Sequence, residues 1–74
     1  MNQLKLLDLA RRRKLRVRIQ TSDGWQTEPG VVGGIDILDS VPFLRLQYEL
    51  GAEHIPLREI TLVHPVLDGA RLVA

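Results

Sequence analysis

Lys14-Leu15-Arg16-Val17-Arg18-Ile19-Gln20 is the stretch on which the fold turns. Its apolar residues alternate with charged or polar ones, the period-2 signature of a strand with one face buried. Immediately before it the period is 3.6. Residues 3–13 are rich in helix formers and contain neither Gly nor Pro, and Asn2 is placed to cap them. Leu4, Leu7 and Ala10 share one helical face, while Leu6 and Leu9 widen the apolar stripe. One short amphipathic helix therefore runs straight into a strand at residue 15.

Beyond residue 20 the strand pattern recurs between turn signals. Ser22-Asp23-Gly24 reads as a turn, so residues 25–28 are expected to begin the returning strand, with Pro29 marking an edge or break. Residues 31–38 continue it, and the Gly33-Gly34 pair suits a sharp bend or bulge. Asp39-Ser40-Val41-Pro42 is the next turn. In residues 43–50, Leu44, Leu46, Tyr48 and Leu50 share the inward face; Phe43, Arg45, Gln47 and Glu49 take the other, although Phe43 is expected to pack under the helix. Gly51-Ala52 then turns the chain into a strand over 53–57, Arg58-Glu59 forms a single short turn, and 60–63 and 70–73 supply the last strands. The expected fold is mainly β: an N-terminal helix at about 3–13, then a small five- to six-stranded, strongly bent antiparallel barrel over about 15–73. Closure would remove the two edges of so small a sheet.

The 74 residues form a single domain, 1–74. With no cysteine there is no disulfide framework and no Cys-type zinc site. No apolar run approaches the ~18 residues of a membrane span, so a soluble cytoplasmic protein is expected.

Charge is distributed unevenly. Residues 1–18 carry seven basic residues against the single acid Asp8, a balance of +6, whereas residues 19–74 carry three basic residues against eight acids, a balance of −5. The front is the strongest functional feature: Arg11, Arg12, Arg13 and Lys14 close the helix, and Arg16 and Arg18 continue the row along the exposed face of the first strand. Such a row fits nucleic-acid phosphates or an anionic partner surface. Part of it also offsets the negative end of the helix dipole. Trp25, following a turn, is expected to staple the barrel, with base stacking as its functional role.

Catalytic and metal chemistry find little support. His54 and His64 fall on strands expected to be adjacent, without the third and fourth ligands that a metal requires. Asp36 and Asp39 lack an evident cleft, Ser22 and Ser40 lack a nucleophile-elbow context, and no Gly-Lys-Ser/Thr follows the glycines. No enzyme and no cofactor are expected.

The order of elements resembles small barrels of the Sm-like or SH3-like type, which implies a single Sm-like domain. Leu15-Arg-Val-Arg-Ile19, Asp23-Gly24, Gly30-Val-Val-Gly-Gly-Ile-Asp36 and Phe43-Leu-Arg-Leu46 look like the first Sm motif. Glu53-His-Ile-Pro-Leu-Arg-Glu-Ile-Thr-Leu-Val-His-Pro65, followed by Gly69 and Arg71-Leu-Val73, is similar to the end of the Rof family, modulators of Rho-dependent transcription termination. That resemblance implies a regulator of termination or RNA metabolism that occupies a surface of Rho, with Asp36, Asp39, Glu49 and Glu53 as the acidic partner face. The chain departs from the family in its basic front. It also lacks the Asp-x-x-x-Asn of RNA-binding Sm proteins, since Ser40 stands where the Asn would be. Pro56 is expected to interrupt the edge strand through which Sm rings pair, making a monomer or dimer the expected state. The alternatives are direct nucleic-acid binding, to RNA above all, through residues 11–18, and a protein-interaction module of the WYL or YolD-like kind.

Overall fold

The computed structural model describes residues 3–66. Helix α1 spans Gln3–Arg13, and five strands follow: β1 Arg16–Thr21, β2 Gly30–Leu38, β3 Val41–Tyr48, β4 Gly51–Pro56 and β5 Ile60–Pro65. A single 3₁₀ turn, Leu57–Glu59, joins β4 to β5. All pairings are antiparallel, in the order β4-β3-β2-β1-β5. The expected N-cap, Asn2, and the expected strand at 70–73 lie outside the described residues.

The alternation that marks β1 is realised as drawn: Val17 and Ile19 are fully buried, while Arg16 is exposed and Arg18 half-buried. Leu44 and Leu46 of β3, Val32 of β2, Ile55 of β4 and Ile60 and Val63 of β5 complete the same face. Leu7 and Ala10 of α1 cap that core, a buried Leu side chain contributing ~1.5–3 kcal/mol and the Ala methyl ~0.8 kcal/mol. Leu4 does not join them and stays 62% exposed. The Nε2 amide of Gln3 donates to the carbonyl of Thr61, tying the start of α1 to β5.

The glycine pair forms the expected bulge. Register slips between Val32 and Gly34, and Gly34 adopts φ +145°, a conformation that favours glycine. Gly30 has a different reason to lack a side chain: an added Cβ would stand 2.8 Å from Leu46 Cγ and 2.9 Å from the Gln47 carbonyl.

Several expectations are corrected. Residues 25–28 do not form a strand; only a single bridge joins Gln20 to Gln26, and β2 begins at Gly30. Pro29 has no N–H to give a ladder, and Asp23 instead organises the loop, its Oδ1 accepting from the Thr21 hydroxyl (2.5 Å) and the Trp25 N–H (3.0 Å). Those two donors hold the Asp23 carboxyl below its ordinary value. The β3–β4 turn falls on Glu49-Leu50 rather than Gly51-Ala52, leaving Leu50 98% exposed instead of inward. Phe43 stands on the outer face, edge-on to His54 with centroids 6.2 Å apart, and not under α1, because its neighbours Leu44 and Leu46 take the inner face. Pro56 ends β4 rather than interrupting it, opposite Phe43. The sheet bends without a β4–β5 pairing among the described residues, so both remain edge strands.

Candidate nucleic-acid interface

The junction between α1 and β1 builds the site. Leu15 N–H donates to the Ala10 carbonyl (2.9 Å) and Lys14 N–H to that of Arg11 (3.3 Å), with Lys14 at φ +54°. This is the paired-bond helix terminus that ordinarily carries Gly at its left-handed position. A lysine there costs ~1 kcal/mol in backbone strain. In return the chain reverses at one residue, and Arg13 and Lys14 come to rest next to Arg16, the first residue of β1. Arg16 and Arg18 follow on the outer face, ~6.6 Å apart along the strand. Arg18 lies opposite His64 of β5, whose Nε2 is 3.1 Å from Gln20 Oε1.

Not all of the basic residues are equally available. Asp8 holds two of them: its Oδ2 accepts from Arg12 (2.5 Å) and its Oδ1 from Arg11 (3.0 Å). Arg12 first and Arg11 second hold the Asp8 carboxyl below the usual carboxylate range. Arg13, Lys14, Arg16 and Arg18 make no ion pair among the described residues. The six cations named by the sequence thus divide into a helix pair that shares one carboxylate, leaving a net charge of +1, and a row of four across the junction with no ion pair among the described residues.

The acids are arranged differently. Asp36 is bound by Arg45, whose Nη1 donates to both carboxylate oxygens at 2.8 Å, and by His54, whose Nε2 lies 2.8 Å from Oδ2. His54, then Arg45, keeps the Asp36 carboxyl below its ordinary value. Arg45 Nη2 also donates to the Gly33 carbonyl (2.9 Å), so the bulge is the seat of this guanidinium. Glu53 accepts from the Tyr48 hydroxyl (2.6 Å); burial, and then Glu53, pushes that phenol up to about 12. Asp39 and Glu49 sit in the turns at opposite ends of β3, ~23 Å apart along an eight-residue strand. The four acids do not converge on one face.

Trp25 does not staple the barrel as expected: it is 53% exposed in the loop after β1, outside the core, at the end of that strand away from Arg16. His54 and His64 occupy opposite edges of the sheet rather than adjacent strands, and no group of three or more metal-binding side chains occurs among the described residues. Sequence reasoning missed the roles of Arg45 and Gln20. Strand register alone puts Arg45 diagonally against Asp36 and Gln20 diagonally against His64, and register is not fixed by local pattern. No helix among the described residues is long and apolar enough to cross a membrane.

A short helix capping one face of five bent antiparallel strands, with a glycine bulge in the second, defines the class: an Sm-like small β-fold protein. Within that class the chain is similar to a solved structure of the pleiotropic translational regulator Hfq, with a TM-score of 0.70 over 86% of this chain and 89% of that one. Sequence identity is 19%, so the likeness lies in the fold. No family model and no curated protein matches the sequence.

Proposed function

We propose that the chain is a non-enzymatic regulatory protein that binds RNA through the free cations Arg13, Lys14, Arg16 and Arg18. The observation that carries this reading is the contrast in charge pairing. Four neighbouring cations lack an acidic partner among the described residues, whereas Asp36 and Glu53 are bonded and Asp39 and Glu49 lie apart. Phosphates would line the row from the helix end onto β1, and Trp25 beyond Thr21 offers one stacking surface. Four phosphate contacts to a single strand give a log–log salt slope of roughly −3.

The Rof resemblance supports a second reading, docking to Rho. The chain has the expected order of a helix, bent strands and a β4–turn–β5 close. On that reading the acids would make the contact.

Fluorescence anisotropy of labelled single-stranded RNA at two salt concentrations separates the two. Binding with a slope near −3, lost when Arg13, Arg16 and Arg18 are all replaced by Glu, supports the first. Capture of purified Rho, unharmed by those substitutions and without RNA binding, supports the second and ends the first.

A further inference from the structure

One end of the molecule is apolar. The core face of β2 runs beyond the part that α1 covers, leaving Ile35 45% and Ile37 65% exposed. Leu4 of α1 (62%) lies beside Ile35, extending this apolar surface, while Leu38 (43%) turns to the opposite face of the hairpin. The pairs Ile37–Pro42 and Leu38–Val41 have no third strand beside them, since β4 reaches only Phe43 and β1 meets β2 only at Gly30 and Val31. They form a protruding two-stranded tip closed by Asp39 and Ser40, both at positive φ (50° and 65°).

Next to this tip lies a groove. Pro56 pairs with Phe43, so the 3₁₀ turn leaves the sheet beside the base of the tip. Leu4 and Leu7 of α1, Leu57 of that turn and Ile60 line a mostly apolar groove of about 290 Å³, with Arg58 on its rim. The tip and the groove are complementary in kind. One offers Ile37 with Asp39 beside it; the other offers an aliphatic slot with Arg58 beside it. Neither Asp39 nor Arg58 has an ion pair among the described residues.

We propose that this end is a self-association surface: Ile37 of one copy seats in the groove between α1 and the 3₁₀ turn of a second copy, with Asp39 facing that copy's Arg58. Tip and groove are neighbours at one end, which lets a two-fold axis seat each tip in the other copy's groove; that reciprocal contact closes at two copies. The exposed apolar area is small beside that of a standard specific interface, so the dimer is weak, with a dissociation constant on the order of 0.1 mM. The basic row at the other end of α1 stays outside the contact, and the proposal stands independently of the RNA reading.

Sedimentation equilibrium of the full chain from about 5 μM to about 1 mM tests it, that range spanning the expected constant. A monomer passing to a dimer is expected. Ile37→Glu should weaken the dimer roughly 10-fold or more. Arg58→Glu, on an exposed turn that leaves the core untouched, should weaken it roughly 3- to 10-fold, and adding Asp39→Arg should restore most of that loss. Melting curves recorded below the dissociation constant confirm that each variant folds. A monomer at every concentration overturns the proposal and leaves the face to a different protein. Association beyond a dimer, an unaffected Ile37→Glu dimer, or failure of the charge exchange also overturns it.

Discussion

Thr27 offers a sharp test of how the loop between β1 and β2 is held. It is 1% exposed, and its Oγ1 accepts a hydrogen bond from the Ile19 N–H at 3.0 Å while donating to the Glu28 carbonyl at 2.9 Å. Its own N–H donates to the Ile19 carbonyl at 2.9 Å. Ladder pairing of β1 with β2 ends at Val17 and Gly30, so without Thr27 the buried Ile19 N–H would have no acceptor. Thr27→Val keeps the shape and the backbone bond but removes that acceptor. An unsatisfied buried donor costs ~1–3 kcal/mol, and the extra methyl recovers less than ~1 kcal/mol of it. A net loss of ~1.5 kcal/mol corresponds to roughly 6–12 °C in Tm for a domain of this size. Thr27→Ser keeps the oxygen and gives up one methyl, ~1 kcal/mol. Thermal unfolding by circular dichroism should therefore rank wild type above Ser and Ser above Val. A valine variant as stable as wild type, or more stable than the serine variant, refutes the reasoning.

Lys14→Gly should raise stability by ~0.5–1 kcal/mol in urea unfolding, because the left-handed position no longer carries a Cβ. The same change should flatten the RNA salt slope by roughly 0.7, as one phosphate contact is lost. Asp8→Asn should tighten RNA binding and steepen that slope, measured by anisotropy, since Arg11 and Arg12 lose the one carboxylate that they share. The carboxyls of Asp8, Asp23 and Asp36 all lie below the ordinary value of 3.8 in the folded chain. Each contributes stability that is present above pH 3.8 and is lost as pH falls through its folded value. Urea titrations at stepped pH should show stability falling below pH 3.8, with a shallower fall in Asp36→Asn.

Local chemistry was legible wherever a single element decides it. The change of period at Lys14 locates the end of α1 and the start of β1, because helix and strand periodicities are properties of neighbouring residues. The glycine pair announced its bulge for the same reason, and the alternating Val17 and Ile19 announced the core. Ser22-Asp23-Gly24 signalled a turn, yet the strand expected after it failed. The fate of residues 25–28 depends on whether Pro29 and Thr27 leave β1 another partner, which is a question of pairing. The turn at Glu49-Leu50 was missed because register across β3 and β4, not the glycine beside it, sets the reversal.

The sequence by itself determined the inventory of charge, the helix-then-strands order and most residues of the inner face, Leu50 and Phe43 excepted. Tertiary structure alone decided which charges are spent. Arg11 and Arg12 meet Asp8 one helical turn away, a spacing visible in sequence, but Asp36 meets Arg45 and His54 only because three strands lie side by side in one register. Burial of charge and overhang of apolar surface depend on what covers each residue from distant parts of the chain. That is why Arg13, Lys14, Arg16 and Arg18 emerge as a row with no ion pair among the described residues, and why Ile35 and Ile37, on the core face of β2, stand exposed beyond the cover of α1.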